Sequence, residues 1–245
     1  MKKLLSTIAC GAILATTASA DFARVEGAVG SWMQTPSGSA GYSLAGNSLS
    51  DNFVEDQTNG IYVWALVKHP IPVVPNLRLE YVNITGDAKS VLSSNIITLP
   101  LGTSSALDMT QFDIVPYYNI LDNLAWITLD LGLDFKVINL SYKANSIEVV
   151  PSDVSTLVVP LGYVRGRVQI PFSGIGFESD VKYITYDTTT VYDVRAKVDY
   201  TLGFIPIVQP TIELGYRMQK IDISDSGFSI DTEFSGVFVG IGARF

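Results

Sequence analysis

The sequence predicts an all-β protein, an antiparallel up-and-down β-barrel that crosses a membrane. Three observations carry that reading. Many segments alternate apolar and polar residues with period two, the strand period. The apolar content is high but dispersed: 47% of the 245 residues are hydrophobic and the mean hydropathy is +0.30. Yet beyond the N-terminal segment no apolar run reaches the roughly 18 residues of a spanning helix. The links between segments tend to alternate long and short, as in membrane barrels. A soluble β-sandwich, burying the same residues inward, is the competing fold.

The chain opens with Lys2 and Lys3, then a mostly apolar stretch from Leu4 to Thr17. Ala18, Ser19 and Ala20 form an A-x-A cleavage site before Asp21, so residues 1–20 read as a secretory signal peptide and 21–245 as one barrel domain. The apolar run is too short for a membrane anchor. Cys10 is the only cysteine, and Thr7 stands where a lipoprotein signal would want an aliphatic residue. The predicted mature chain therefore has no disulfide, no thiol nucleophile and no cysteine metal site. Removing Lys2 and Lys3 from 16 basic residues leaves 14 against 24 acids, a net charge of about −10. Without a basic cluster, nucleic acid is excluded as a partner.

Ten strand segments follow, at 22–32, 60–69, 76–86, 106–118, 124–143, 155–170, 175–187, 190–203, 209–222 and 229–245. The alternatives are 8 or 12. Most segments meet the roughly 9 to 11 residues that a tilted strand needs to cross a bilayer, and an even count returns both termini to one side. The links predicted outside are 33–59, 87–105, 144–154, the tight turn 187–189 and the short polar stretch 223–227. Those on the periplasmic side are 70–75, 119–123, 171–174 and 204–208, and three of the four contain proline, which removes a ladder donor. Pro160, inside the sixth segment, implies a bulge or a membrane edge.

The alternation is clearest in the fifth, eighth and ninth segments. Ala125, Ile127, Leu129, Leu131, Leu133 and Phe135 share one face of the fifth, and Trp126, Thr128, Asp130, Gly132, Asp134 and Lys136 the other. Charged rows facing lipid are costly, so they face the lumen. The lumen then holds nine acids, Glu26, Glu80, Asp130, Asp134, Glu178, Asp180, Asp193, Asp199 and Glu213. Nine bases oppose them: Arg24, Arg78, Lys136, Arg165, Arg167, Lys182, Arg195, Lys197 and Arg217. Sidedness is least defined in the second, fourth and sixth segments, where the alternation breaks. Balanced charges in a ten-strand barrel, close to the size whose interior side chains fill, predict a cross-lumen ion-pair network. The other reading is a narrow pore or a small-solute cavity. Trp32, Tyr117, Tyr118, Tyr142, Tyr163 and Tyr200, near strand ends, fit either interfacial girdles or ordinary strand packing.

The last segment ends FSGVFVGIGARF. Val237, Val239, Ile241 and Ala243 alternate with Gly236, Gly240, Gly242 and Arg244 up to the terminal Phe245. A strand ending on an aromatic terminal residue resembles the targeting strand of bacterial outer-membrane β-barrels. With the signal peptide and phased links, the whole chain resembles small proteobacterial outer-membrane barrels of unassigned function. That resemblance implies an outer-membrane location, outer-membrane lipid and lipopolysaccharide as surroundings, and periplasmic chaperones and the barrel-assembly machinery as partners in biogenesis. It transfers no activity residue by residue. Ala243 departs from the larger apolar residue common at its position. The inward glycines Gly236, Gly240 and Gly242 leave room opposite, so this strand is the one expected to line any gap.

Tests for chemistry return nothing. Several small outer-membrane barrels are enzymes: barrel lipases, lipid A deacylases and acyltransferases, and omptin proteases use a catalytic histidine at or near the outer rim. The one histidine, His69, precedes Pro70 at a turn assigned to the periplasm, where it reads as a strand-end residue. No G-x-S-x-G elbow, phosphate loop or histidine cluster is present. No catalytic, cofactor or metal residue is assigned, and the expectation is a non-enzyme. Its two candidate roles are a narrow porin-like or solute-binding channel, with a small solute as its ligand, and a non-conducting structural or surface-interaction barrel acting through 33–59 and 87–105.

Overall fold

The computed structural model describes residues 23–44, 47–55, 57–71, 73–90, 93–94, 103–124, 126–144, 147–148, 155–203, 207–225 and 228–245. The cleavage-site residues Ala18, Ala20 and Asp21 lie outside the described residues. The strands are β1 (Arg24–Leu44), β2 (Asn47–Glu55), β3 (Thr58–Lys68), β4 (Asn76–Ser90), β5 (Ser93–Ser94), β6 (Thr103–Leu124) and β7 (Ile127–Ala144). They continue as β8 (Ile147–Glu148), β9 (Thr156–Gln169), β10 (Ile175–Tyr186), β11 (Thr189–Thr201), β12 (Gln209–Asp225) and β13 (Phe228–Arg244). Each pairs antiparallel with its neighbour, and β13 closes on β1 through a 17-residue register from Glu26↔Arg244 to Tyr42↔Phe228. Val25 and Phe245 exchange backbone hydrogen bonds at the end of that seam. The wall is a closed barrel of ten strands.

β2 explains the larger strand count. β3 pairs with β1 only as far as Gln34↔Thr58, and above that point β2 takes its place, from Gly38↔Phe53 to Leu44↔Asn47. β2 also pairs with β4 at Phe53↔Ser90. β2 and β3 are thus one wall strand broken at residues 56–57. Most of 33–59, expected to be a loop, is this hairpin, and within 87–105 the flanks 87–90 and 103–105 are the ends of β4 and β6. Gly, Ser and Asn hide strands here because the ladder is made by backbone groups, and above a membrane no face must be hydrocarbon-like.

Along the lower part of each strand the barrel has its apolar side out. Val29, Val63, Leu131, Leu133, Phe135, Leu214, Val239 and Ile241 are 41–66% exposed on the outer face, as a lipid-facing belt requires. Val237, Val239 and Ile241 of the terminal strand share that face, and Phe245 is 60% exposed. Tyr81, Phe112, Phe135 and Tyr183 face outward toward the upper edge of the belt, and Tyr118, Trp126, Phe177 and Tyr200 toward the lower. They form the girdles. Of the six residues that fit either girdles or strand packing, Tyr118 and Tyr200 are outward, Trp32, Tyr117 and Tyr163 pack inside the lumen, and the side chain of Tyr142 lies outside the described residues. Trp126, expected to face the lumen, is exposed in a turn at positive φ (67°). Pro160 keeps regular register opposite Phe135 and faces outward near the upper edge, so it needs no bulge.

Higher on the same strands the polarity inverts without any slip of register. On β7 Asp130, Asp134 and Lys136 point inward, followed by Ile138 and Leu140, while outside Phe135 gives way to exposed Asn139. On β4 inward Arg78 and Glu80 are followed by Val82 and Ile84, and outward Tyr81 by Asn83 and Thr85. On β12 Glu213 and Arg217 are followed inside by Ile221 and Ile223, and Tyr216 outside by Lys220 and Asp222. On β6 and β12 the change falls at Gln111 and Gln219, whose amides bond one another in both directions at 3.0 and 2.7 Å. Below this line the protein is built for lipid. Above it, the strands carry the apolar-in, polar-out pattern of a water-soluble barrel.

Candidate functional site

The lumen is where the charged side chains converge, and seventeen of the eighteen predicted lumen charges are buried there. The eighteenth, Arg24, lies at the periplasmic rim with 13% of its side chain exposed, its Nε 2.5 Å from Glu26. Three further charged residues belong to the set. Asp113 is 1% exposed and Lys68 7%, and Arg244 pairs with Glu26 at 3.1 Å. Asp113 was hidden because β6 crosses the polarity switch, which breaks its alternation between Asp108 and Asp113.

Apart from Arg24–Glu26 on β1 and Arg78–Glu80 on β4, the lumen pairs among the described residues run across and around the lumen rather than along single strands. Asp113 on β6 accepts from Lys136 on β7 at 2.8 Å and from Lys182 on β10. Lys182 also reaches Glu80 on β4 at 2.9 Å, and Glu80 receives Arg78 at 2.5 Å and Arg195 at 3.3 Å. Asp193 takes the guanidinium of Arg217 and, at 3.1 Å, Lys136. Lower down, Glu178 holds Arg165 and Arg167 at 2.7 and 3.1 Å. Arg165 also binds Asp130 at 2.7 Å, and Arg167 forks onto both oxygens of Asp199 at 2.6 and 2.8 Å. Such bidentate, charge-assisted pairs are the strong ones. They are needed because each unpaired buried ion would cost several kcal/mol.

Aromatic residues fill the wall near the β13–β1 seam. Tyr62 and Trp64 both donate to Glu213 Oε1, at 2.8 and 3.0 Å, while Lys197 binds its other oxygen at 2.7 Å. The Trp64 ring carries Lys197 4.3 Å and Arg78 4.8 Å from its centroid, and Arg217 lies 5.0 Å from that of Trp32. These are cation–π contacts at desolvated sites. Gly30 and Gly240 exist to admit Tyr62: a Cβ on either would lie 2.4 or 2.2 Å from its hydroxyl. The space expected at Gly240 of β13 is therefore filled by this ring, while Gly236 and Gly242 lie against the β1 backbone at Met33 and Gly27. Trp32 Nε1 donates to Gly236 O at 3.2 Å, tying β1 to β13.

Open volume in the lumen is small. At the periplasmic floor a small cavity of about 10 Å³ is lined by Glu26, Trp64, Arg167, Lys197, Asp199, Thr211, Glu213, Ala243 and Arg244. Trp32, Tyr62, Arg195, Arg217 and Phe238 close together and leave no room for a water between them. A larger dent, about 570 Å³, lies over the outward residues Ser179, Ala196, Val198, Leu214 and Tyr216, with Glu178 and Lys197 also in its lining. Among the described residues no group of three His, Cys, Asp or Glu is placed to hold a metal ion. His69 sits in the periplasmic turn. Its Nδ1 accepts from Ile71 N at 3.2 Å, so Nε2 carries the proton and donates to Pro75 O at 3.0 Å. Its ring braces that turn.

No family model and no curated protein matches the chain. Among solved structures it is similar to the outer-membrane protease OmpT from Escherichia coli, at a TM-score of 0.56 and 12% identity, over 91% of this chain and 97% of that one. It is also similar to the translocator domain of the autotransporter NalP from Neisseria meningitidis (TM-score 0.40, 12% identity, 100% of this chain and 96% of that chain). A third is the outer-membrane protein AlkL (TM-score 0.36, 12% identity, 94% and 92%). The OmpT likeness is one of fold. With the lipid-facing belt, it makes the protein an integral outer-membrane β-barrel.

Proposed function

We propose that the protein is a non-conducting outer-membrane barrel that works through its extracellular end. The observation that carries this reading is the filled lumen: Arg78, Asp130, Asp134, Lys136 and Lys182 all have 0% exposure, and an apolar layer stands above them. A permeant ion would have to break several buried pairs at once, each costly to leave half-made. The extracellular ends of the strands hold the acids Asp51, Glu55, Asp87, Asp108, Glu148, Asp222, Asp225, Asp231 and Glu233, and the β10–β11 turn holds Asp187. Against these ten stand three lysines, Lys89, Lys143 and Lys220. That imbalance suits contact with cationic partners. Export by residues 1–20 and insertion through the Phe245 strand belong to the same reading.

The rival is the narrow channel. Purified protein in planar bilayers separates the two: the scaffold reading expects no conductance above background across the physiological voltage range. Regular unitary steps, abolished when the protein is omitted, would overturn it and restore the channel.

A further inference from the structure

We propose that the lumen is a blind vestibule, in which water reaches the charged tier from the periplasmic end and stops beneath the apolar tier. This rests on the closed-lumen reading above and adds a direction to it. Several deeply buried polar atoms in the charged tier have no hydrogen-bond partner: Arg78 Nη2, Tyr163 Oη and both carboxylate oxygens of Asp134, together with Arg78 Nη1 and Glu178 Oε1, which face each other only as an ion pair at 3.6 Å, with Lys197 3.4 Å from Glu178 Oε1. Asp134 pairs only loosely with Lys182, 3.8 Å away. Arg78, Asp134, Tyr163 and Glu178 are 0–3% exposed and come from β4, β7, β9 and β10, which share one arc of the wall.

The mixture of unmatched groups identifies the guest. Arg78 can only donate, Glu178 and ionised Asp134 can only accept, and Tyr163 can do either. A bound anion would leave the carboxylates unmatched, and a cation would leave Arg78 unmatched. A small molecule that both donates and accepts satisfies all of them, and buried waters typically make about three hydrogen bonds to such groups.

Direction comes from the two ends. At the floor, a small cavity of about 10 Å³, room for about one water, is lined by Lys197 and Glu213 of the charged tier, Thr201 Oγ1 is unmatched, and the side chains of Arg24 and Arg244 are 13% and 17% exposed. Going upward, Trp32, Val82 and Leu161 are 0–2% exposed and offer water nothing except the indole N–H, which Gly236 already takes. Unmatched atoms do recur higher, at Gln34, Thr58 and Thr232. They lie on β1, β3 and β13, above that apolar layer, and are a separate set.

The test is thiol reactivity with Ag⁺, an ion small enough to follow water. Single cysteines are placed in a Cys10→Ser background, in protein held in nanodiscs and shown folded by its heat-dependent gel migration. Thr201→Cys reports the floor, Tyr163→Cys the charged tier, and Val82→Cys and Ile221→Cys the apolar tier. Ala28→Cys, inward on β1 at the depth of the charged tier, stands in if the Tyr163 variant does not fold. The expected result is that the Thr201 and Tyr163 (or Ala28) thiols react at least tenfold faster than those at 82 and 221. If the mid-lumen thiol is as slow as those two, the charged tier is dry; the vestibule is refuted while the closed lumen stands. If the thiols at 82 and 221 react as fast as that at 201, the lumen is open throughout and both readings fail.

Discussion

The membrane half of this barrel and its extracellular half use one set of strands and opposite chemistry. Below the Gln111–Gln219 pair, charges face inward and Leu131, Leu133 and Phe135 face outward. Above it, Ile138, Leu140, Ile221 and Ile223 face inward, while Asn139, Lys220 and Asp222 face outward. Neither half violates the pleat, because every residue keeps its side. What changes is the solvent outside. Hydrocarbon outside forces polarity inside if the chain is to carry charge at all, whereas water outside restores the ordinary hydrophobic core. The two halves are therefore held by different forces, ion pairing and cation–π contact below and apolar burial above. The line between them marks the outer surface of the bilayer.

The largest expected effect tests the lower half. Asp113→Ala leaves Lys136 and Lys182 without a shared acceptor in a fully buried site, so unfolding in detergent should show a loss of about 3–5 kcal/mol. A loss below 1 kcal/mol would mean that the network is solvated or redundant. Next, a single substitution tried on both sides of the line sharpens the comparison. On β7, Leu131→Arg places a charge in the lipid belt and should cost about 2–4 kcal/mol in lipid, while Asn139→Arg, eight residues higher on the same face, should cost under about 1 kcal/mol. Equal costs would remove the line. Smaller still, Tyr62→Phe takes one donor from Glu213 but leaves Trp64 and Lys197 in place. It should lower stability by about 1–2 kcal/mol and leave the fold unchanged by circular dichroism.

The smallest effect lies above the line. Lys220 is only slightly buried and hydrogen-bonds Asp231 at 3.2 Å, which raises its ammonium above the ordinary lysine value. A raised cationic group stabilises the folded state below its unfolded pKa and loses that contribution as pH climbs through the folded value. The difference between wild type and Lys220→Ala should thus be a few tenths of a kcal/mol at pH 7. It should disappear well above pH ~10.4, as read by thermal unfolding at the two pH values.

Much of the lower half was legible from residue alternation. Asp130, Asp134 and Lys136, or Asp193, Arg195, Lys197 and Asp199, alternate with apolar residues, and a membrane admits only one side for each set. The upper half was not. Where β4, β6 and β9 cross the line, the apolar residues move from one parity to the other, so Tyr81 is followed by Val82 and Phe112 is preceded by Met109. Period-two reading registers this as broken alternation, although it is the signature of the boundary. The same cause hid Asp113. Pairings across the lumen, such as Lys182 with Asp113 or Tyr62 with Glu213, depend on shear and closure, which no single segment encodes. The β1–β2 hairpin was missed because its ladder needs no apolar residues.

Spin labels scanned along the outer face of β7 test the inversion most directly. With the barrel in lipid bilayers, nitroxides at 131, 133 and 135 should collide with oxygen and be shielded from a water-soluble nickel complex, and those at 139 and 141 should show the reverse. A label at 139 with the oxygen preference of 133 would place the bilayer surface above the Gln111–Gln219 line and contradict the account.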